Sequence, residues 1–400
     1  MIEIDVTLYH NISFLIHLMS TPSQRLQAID ALRGLVILIM MVDHVRETFY
    51  LHQQVPDPML IPGTEESLFF SRILAHLCAP VFVVLTGLSA YLYQAKNNSV
   101  QMTREFLLKR GLFLIFLELI IINFAWTGQF PPDVIYLQVI WAIGLSMVVL
   151  AGLIGLSQKW LWVISLSIIF GHNALDQVSF SQMPILQNMW FILHERGWIE
   201  FGDLIRFRTS YPVLPWIGVI TLGYCIGHTV FNSTHDVAKR NQILLGFGLA
   251  SISLFIVLRM INLYGDQAWS VMPTSTETVM SFLNLTKYPP SLLFILWNVG
   301  LGLILLLLLQ KVESKPWLKP LIVFGSVPMF FYIVHLYVLK ALYLTAVTLF
   351  GTTHGEYFGV DHVSTLWLIS IILTVALYPL MLKFSAFKHK NKHIRILKYL

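Results

Sequence analysis

The chain has 400 residues, of which 56% are hydrophobic and 12% are charged, and its formal net charge is +5. Soluble globular domains carry about 25% charged residues, so the composition excludes an ordinary soluble domain and favours a polytopic helical membrane protein. The two cysteines, Cys78 and Cys225, fall in different apolar segments without disulfide or metal-ligand spacing. They are typical of small buried hydrophobic side chains.

The first 24 residues are mildly apolar and lack the basic region and small-residue cleavage site of a signal peptide. We predict that residues 1–24 form a lead-in or interfacial segment, with Met19 as an alternative translation start. A single transmembrane domain is predicted over 25–386, followed by a basic cytoplasmic tail over 387–400.

Apolar runs recur through the transmembrane domain and predict an all-α bundle of about ten spanning helices. The predicted spans lie near 32–49, 69–94, 106–124, 134–156, 160–175, 212–231, 242–263, 291–310, 320–349 and 365–386.

Basic residues predict the orientation of this bundle. If the N-terminus is cytoplasmic, 18 of the 26 lysines and arginines lie on the cytoplasmic side, which favours both termini being inside. The basic tail then indicates an anionic-lipid patch rather than a nucleic-acid site. Two long loops, 50–68 and 176–211, face outward, and the second has the apolar and aromatic residues of a lid or interfacial helix.

The first span carries ionisable residues at both ends, in the sequence IDALRGLVILIMMVDHVRET. Arg33 and His44 are eleven residues apart, so about 100° per residue places both on one helix face, roughly 16 Å apart along the axis. Asp30 can pair with Arg33. Glu47 or Asp43 is positioned to orient the His44 imidazole. Because ionisable groups are costly in hydrocarbon, this polar stripe predicts a functional site.

Further polar side chains map to the outer half of the membrane and predict a cavity open to the exterior. They are Arg72, His76, His172, Asp176, Lys287 and Tyr288. Pro80 is expected to kink the second span just after His76. Tyr332 and His335 share one face of the ninth span, where a core hydrogen bond and a functional role remain equally open. Glu118 is read either as a helix-to-helix hydrogen bond or as a site carboxylate.

The chain lacks a phosphate-binding loop, a G-x-S-x-G elbow, an H-E-x-x-H pair and a cysteine pair. Its histidines lack metal-ligand spacing, so no metal is expected. A histidine one turn from a carboxylate suits a general base or a transient acyl carrier. Arg33 suits an anionic phosphate group. A donor with phosphates at the cytoplasmic end and an acyl group deep in the membrane would fit this arrangement.

The chain resembles transmembrane acyltransferases, and among them the bacterial relatives of the heparan-alpha-glucosaminide N-acetyltransferase catalytic domain. The resemblance rests on RLQAIDALRGLVILIMMVDHV, HLCAPVFVVLTGLSAYL, LLKRGLFLIFLELI, LQVIWAIGLSM, YPVLPWIGVITLGYCIG, LNLTKYPPSLLF and FGSVPMFFYIVHL. It implies acetyl-CoA as the donor on the cytoplasmic side and a sugar-like acceptor outside. The Arg33-x10-His44 spacing is similar to a signature of the broader acyltransferase group whose arginine and histidine are essential.

One departure concerns the active histidine. The heparan enzyme has an asparagine at the position that matches His44, and its active histidine lies in the following lumenal loop. In this chain His52 is the only histidine of that loop. The resemblance therefore extends to the superfamily better than to the substrate.

The sequence thus predicts a multi-pass acyltransferase of the cell membrane, with His44 as base or acyl carrier and Glu47 or Asp43 orienting it. Arg33 and Asp30 are predicted to contact acetyl-CoA. The residues predicted to contact the acceptor are Arg72, His76, His172, Asp176, Lys287, Tyr288 and His335. The expected partners are the lipid bilayer and a carbohydrate or lipid-linked acceptor, and a homodimer is left open. The alternatives are a transporter or flippase of a small polar or lipid-linked solute, and a structural or sensory subunit.

Overall fold

The structure is a computed structural model that describes residues 27–202 and 205–399. The lead-in predicted over 1–24, with Met19, lies outside these residues. The described helices are α1 (Gln27–Phe49), α2 (Glu66–His76), α3 (Cys78–Asn97), α4 (Val100–Phe116), α5 (Asn123–Thr127), α6 (Val139–Leu153), α7 (Gln158–Gly171), α8 (Pro184–Leu193), α9 (Leu214–Val230), α10 (Val237–Ile261), α11 (Ser275–Leu283), α12 (Leu292–Lys311), α13 (Lys319–Ser326), α14 (Pro328–Phe350) and α15 (Val363–Lys390). The described strands are β1 (Val134–Leu137), β2 (Gly197–Phe201) and β3 (Ile205–Thr209).

The protein is mostly helical, and helices occupy all ten segments predicted as spans. Among the described residues, five helical stretches are long and apolar enough to cross a membrane: Glu66–Asn97, Val237–Ile261, Leu292–Lys311, Pro328–Phe350 and Val363–Lys390. α6 and α9 are shorter apolar helices. α1 has 23 residues but carries ionisable groups at both ends. This architecture is consistent with an all-α membrane protein. The number of ten membrane spans and the cytoplasmic position of both termini stay predictions.

The second predicted span is interrupted at Leu77, which separates α2 from α3. Pro80 explains the interruption, because it has no N–H to donate to the carbonyl of His76 and its ring crowds that carbonyl. The backbone instead makes a tighter bond from Leu77 N to Leu74 O, at 3.3 Å. The break lies three residues before the proline that was expected to kink the helix.

α1 is the central helix of the bundle and packs against α2, α3, α12, α13, α14 and α15. Glycines permit its close approach to α13. A Cβ atom on Gly34 would lie 1.9 Å from the carbonyl oxygen of Leu321, and one on Gly325 would lie 1.7 Å from that of Asp30. Small residues of this kind let membrane helices pack backbone to backbone. This contact holds the start of α1, and with it Arg33, at a fixed depth.

The loop after α7 contains a helix, α8, and also a β-hairpin that the sequence did not predict, since the composition of 176–211 suggested only a lid or an interfacial helix. β2 pairs antiparallel with β3, and β3 pairs in parallel with β1, with Val134 opposite Arg206 and Leu137 opposite Thr209. β1 occupies 134–137, so the predicted span beginning at 134 starts as a strand. The small sheet therefore adds β structure to an otherwise helical chain.

Candidate functional site

A cavity of about 460 Å³ runs beside α1 and is lined by both Arg33 and His44. One end, near Arg33, is lined by Ser89, Tyr93, Phe106 and Arg110. Its other end, near His44, is lined by Asp43, Glu47, Tyr211, Lys287, Tyr288 and Tyr332. The shared helix face predicted for Arg33 and His44 thus faces one continuous cavity rather than lipid.

The His44 imidazole is held by a second histidine from α14. His44 Nδ1 lies 2.6 Å from His335 Nε2, and His335 Nδ1 lies 2.8 Å from the carbonyl oxygen of Phe331. A carbonyl only accepts hydrogen bonds, so His335 donates from Nδ1 and, in its neutral form, accepts at Nε2. His44 must then donate from Nδ1, which leaves its Nε2 unprotonated. Sequence reasoning offered Glu47 or Asp43 for this orienting role, and the structure provides His335 instead.

Aromatic rings enclose His44 and fix its plane. The rings of Trp126 and Tyr332 meet His44 edge to face, with centroids 5.5 and 5.6 Å away. His335 stacks parallel to it at 4.9 Å. Lys340 Nζ donates to the carbonyl oxygen of Trp126 at 3.1 Å and so anchors that residue. These contacts restrict the imidazole to one orientation.

Asp43 and Glu47 belong to a charged cluster beside His44. Asp43 Oδ1 accepts a 3.0 Å hydrogen bond from Arg46 and lies 4.0 Å from Arg72, while its Oδ2 lies 3.6 Å from Lys287 Nζ. Glu47 accepts a 2.8 Å bond from Arg46. Both carboxylates therefore neutralise buried cations. The i, i+3 spacing that suggested a Glu47–His44 pair is satisfied by Asp43 and Arg46.

The loop before α12 presents Lys287 and Tyr288 to the cavity, as predicted. Asp57 Oδ2 accepts from the backbone N–H groups of Lys287 and Tyr288 at 3.0 and 2.8 Å. Burial raises the pKa of the Asp57 carboxyl above its ordinary value, although Arg72, Lys287 and these N–H groups oppose the rise. Burial alone would lower the pKa of Lys287, but Tyr288 and Asp43 raise it, so the ammonium stays charged.

Asp266 provides a second anchor for the same loop. Its carboxylate accepts from Thr286 N at 3.0 Å, Thr286 Oγ1 at 2.6 Å and Ser291 Oγ at 2.5 Å. Tyr211 Oη, at the end of the long outer loop, lies 3.2 Å from Tyr288 Oη. Asp57 and Asp266 therefore fix the segment that carries the cavity-facing lysine and tyrosine.

The end of the cavity near Arg33 is cationic. Arg33 Nη1 lies 3.4 Å from Asp30 Oδ1, the pairing expected from their spacing, and Arg33 Nη2 donates to Ser89 Oγ at 2.6 Å. Arg110, from α4, lines the same region and is close enough to Arg33 for the two charges to repel. Two guanidinium groups facing one space are suited to an anion with several phosphate oxygens.

Comparison with known protein families supplies the decisive observation: the family model for the catalytic region of heparan-alpha-glucosaminide N-acetyltransferase matches residues 25–258. The chain belongs to the heparan-alpha-glucosaminide N-acetyltransferase catalytic-domain family. No curated protein matches the sequence. Membership in this family supports a membrane acetyltransferase-type enzyme.

The family match includes Arg33 and His44, whereas Lys287, Tyr332 and His335 lie beyond it. His52, the only histidine in the sequence between residues 50 and 68, stacks on His354, with ring centroids 3.9 Å apart. Within the described residues the cavity is lined by His44 and not by His52.

Several predicted acceptor contacts lie away from the cavity wall. His172 and Asp176 do not line this cavity: they lie beside His194 at the end of α7, and their contact with an acceptor stays a prediction. Arg72 and His76 stand behind the cavity, where Arg72 belongs to the Asp43 cluster and His76 packs on Phe294 at 5.3 Å.

Glu118 lies in a π-helical turn, Leu117–Ile122, where its Oε2 accepts from Trp141 N at 2.9 Å. This bond joins two helices, the structural role considered for it. Sequence reasoning missed Ser89, Arg110 and Tyr211 as cavity residues. The only sequence signal from Arg110 was its positive charge, which contributed to the predicted orientation of the bundle in the membrane.

Proposed function

We propose that the protein transfers an acyl group, most simply acetyl, from acyl-CoA at the inner end of the cavity to a hydroxyl or amine of a sugar-like acceptor at the outer end. The observation that carries this proposal is the chain of hydrogen bonds from Phe331 through His335 to His44, which leaves a basic Nε2 on His44. Arg33 lines the same cavity. One space therefore combines a general base with a phosphate-binding cation.

In the proposed reaction, His44 Nε2 removes the proton from the acceptor hydroxyl or amine as that atom attacks the thioester carbonyl. The new C–O or C–N bond forms and the C–S bond breaks. The imidazolium then returns its proton to the departing thiolate, so CoA leaves as a thiol and His44 is regenerated. His335 stabilises the imidazolium because its Nε2 accepts from His44 Nδ1 throughout.

Tyr332 is suited to stabilise the charge that develops on the carbonyl oxygen. Its hydroxyl is buried, lines the cavity and has no hydrogen-bond partner among the described residues. Its ring centroid is 5.6 Å from that of His44, so both groups can reach one carbonyl. A preorganised donor at such a position contributes strongly to transition-state stabilisation.

The two ends of the cavity suit two different ligands. Arg33 and Arg110 would bind the donor phosphates, and the hydrogen bond to Ser89 would orient the Arg33 guanidinium group. Lys287, Tyr288 and Tyr211 would bind acceptor hydroxyls, because ammonium and phenol groups donate to sugar oxygens. We assign the Arg33 end to the cytoplasm because most lysines and arginines lie on that side of the predicted bundle. We propose that the membrane domain spans 25–386.

The proposal is tested with the full chain purified in detergent and supplied with acetyl-CoA and a panel of amino sugars and glycosides. Mass spectrometry of the products detects the transferred acetyl group and identifies its acceptor. We expect His44→Ala to lower kcat by about 10²–10⁴-fold. His228→Ala is the matched control, because His228 lies on α9 and contacts Tyr91 away from the cavity.

Turnover that is unchanged in His44→Ala would remove His44 from the mechanism. Uptake of a solute into proteoliposomes without CoA, combined with no acetylated product from any acceptor, would instead favour the transporter alternative.

A further inference from the structure

A second cluster of polar side chains lies at the outer end of α7, away from the cavity. His172 follows the last residue of α7, Asp176 follows the next turn, and His194 follows the last residue of α8. One ligand atom from each of the three side chains lies within 4.8 Å of the others. None of them lines the cavity described above.

We propose that His172, Asp176 and His194 form a binding site for a divalent transition metal, most simply Zn²⁺, that joins the end of α7 to the end of α8. This site is independent of the proposed acyl transfer. The sequence analysis expected no metal because it considered only the histidines on the predicted spans. It did not consider His194, a loop residue eighteen positions after Asp176.

The buried imidazole of His172 is available to bind a ligand. The residue is only 1% exposed, yet both of its ring nitrogens are without a hydrogen-bond partner among the described residues. His194 is 2% exposed, and its Nδ1 is in the same condition. Buried polar groups are nearly always paired, because an unpaired one loses its hydration without compensation. A metal ion bound by His172 would remove this cost.

The carboxylate is already positioned for the same ligand. Asp176 Oδ1 lies 2.9 Å from His194 Nε2, and Asp176 Oδ2 accepts from Asn173 Nδ2 at 2.9 Å. Asn173 in turn accepts from the backbone N–H of Leu292, at the start of α12. Supporting bonds of this kind orient the ligands of metal sites. An ion at the cluster would replace the proton shared between His194 and Asp176.

The ligand types select the metal. Two imidazoles and one carboxylate suit zinc and its first-row neighbours, whereas calcium and magnesium prefer oxygen ligands alone. Zinc bonds to such ligands are about 2.0–2.2 Å long, so ligand atoms around a tetrahedral ion lie about 3.4 Å apart. The ligand atoms of the cluster lie within 4.8 Å of one another, so the widest separation has to close by about 1.4 Å at most. Asp176 is exposed while the histidines are buried, which leaves the fourth position for a water from the loop side.

The consequence of metal binding would be to stabilise the outer loop. α8 has no buried residue, so this helix packs little of its surface against the bundle. A shared ion would tie His194, and with it the segment leading into β2, to the end of α7. Binding of a ligand to the folded state alone raises its thermal stability.

The test uses the untagged full-length chain, stripped of metal with a chelator, loaded with Zn²⁺ and desalted. Plasma mass spectrometry measures zinc per chain, and Co²⁺ loading gives a visible absorption spectrum that reports histidine and carboxylate coordination. We expect one equivalent in the wild type and a loss of affinity of at least about tenfold in His172→Ala and His194→Ala. Asp176→Asn alters an exposed carboxylate, so it tests the site without disturbing the core. Zn²⁺ should raise the Tm of the wild type and not that of Asp176→Asn.

His354→Ala is the matched control, because His354 and Asp361 form a similar pair, 3.1 Å apart, elsewhere on the outer loops. This variant should keep its zinc. The proposal is overturned if the wild type retains no zinc, if all three cluster variants retain it, or if His354→Ala alone loses it.

Discussion

His44 Nδ1 and His335 Nε2 lie 2.6 Å apart although 291 residues separate them in the chain. Because His335 uses its other nitrogen to bind the carbonyl oxygen of Phe331, the contact determines which nitrogen of His44 carries the proton and leaves Nε2 free to act as a base. The reactivity proposed for α1 thus depends on a residue supplied by α14.

Replacing His335 should therefore impair the chemical step rather than binding. We expect His335→Ala to lower kcat by about 10- to 100-fold with little change in the KM for acetyl-CoA, by analogy with the partners that orient metal-bound histidines. His335→Gln should recover much of the loss, because its amide oxygen can accept from His44 Nδ1. Steady-state kinetics of the three proteins gives the answer. Wild-type kcat in His335→Ala would show that His44 does not need this partner.

Arg33 should act on the donor alone. Loss of a charge-assisted phosphate contact costs about 1.5–3 kcal/mol, so Arg33→Ala should raise the KM for acetyl-CoA by about 10- to 100-fold. Acetyl-pantetheine, which has no phosphate, should be used equally well by the wild type and the variant. If Arg33→Ala weakened both donors equally, the arginine would have a structural role through Ser89 or Asp30 instead.

Asp43 should be important for stability because it faces three cations. It is buried and lies within 4.0 Å of Arg46, Arg72 and Lys287. Removing one partner from a buried ion pair typically costs about 3–5 kcal/mol, so Asp43→Asn should lower the Tm by many degrees. Glu105→Gln is the control: it removes an exposed pair with Lys109 and should leave the Tm unchanged. Equal Tm values for the two variants would show that the cations do not need Asp43.

Local sequence patterns predicted the contacts that are made within one helix. The Asp30–Arg33 pair and the common face of Arg33 and His44 follow from helical geometry, and both appear in the structure. Glu47 shows the limit of this approach. Its i, i+3 spacing from His44 identifies a possible partner, but the spacing does not show which cationic side chain lies nearest in the fold. Arg46, its neighbour in sequence, is the one that binds it.

Contacts between distant segments were beyond reach of the sequence. Asp57 binds the backbone at Lys287, and His194 binds Asp176, only because the outer loops fold over the bundle. Apolar periodicity carries no information on such packing. It also could not distinguish β1 from the first turn of a span, since a short apolar run fits either structure.

Close packing of α1 on α13 gives a prediction about Gly34. A methyl group there would meet the carbonyl oxygen of Leu321 at 1.9 Å, so Gly34→Ala should cost about 1–3 kcal/mol in the free energy of unfolding and displace the neighbouring Arg33. Gly152→Ala is the matched control, because a Cβ there meets nothing within 4 Å. Thermal denaturation in detergent measures both. A Gly34→Ala protein as stable as the Gly152→Ala protein would contradict the close contact.

Asp57 should affect the acceptor and not the donor. Its carboxylate holds the backbone of Lys287 and Tyr288, and both side chains line the outer end of the cavity. Asp57→Ala should free this loop and raise the KM for the acceptor by about tenfold, since two hydrogen bonds to a carboxylate are lost. The KM for acetyl-CoA should stay constant because Arg33 lies at the opposite end.

The matched control for this loop is Asp361→Ala. Asp361 is another loop aspartate that pairs with His354, and the side chain of Asp361 is 75% exposed. Its acceptor KM should equal that of the wild type. If Asp57→Ala instead raised the KM for acetyl-CoA and left that of the acceptor unchanged, the two ends of the cavity would have to be assigned in reverse, because the loop at Lys287 would then be the one that binds the donor.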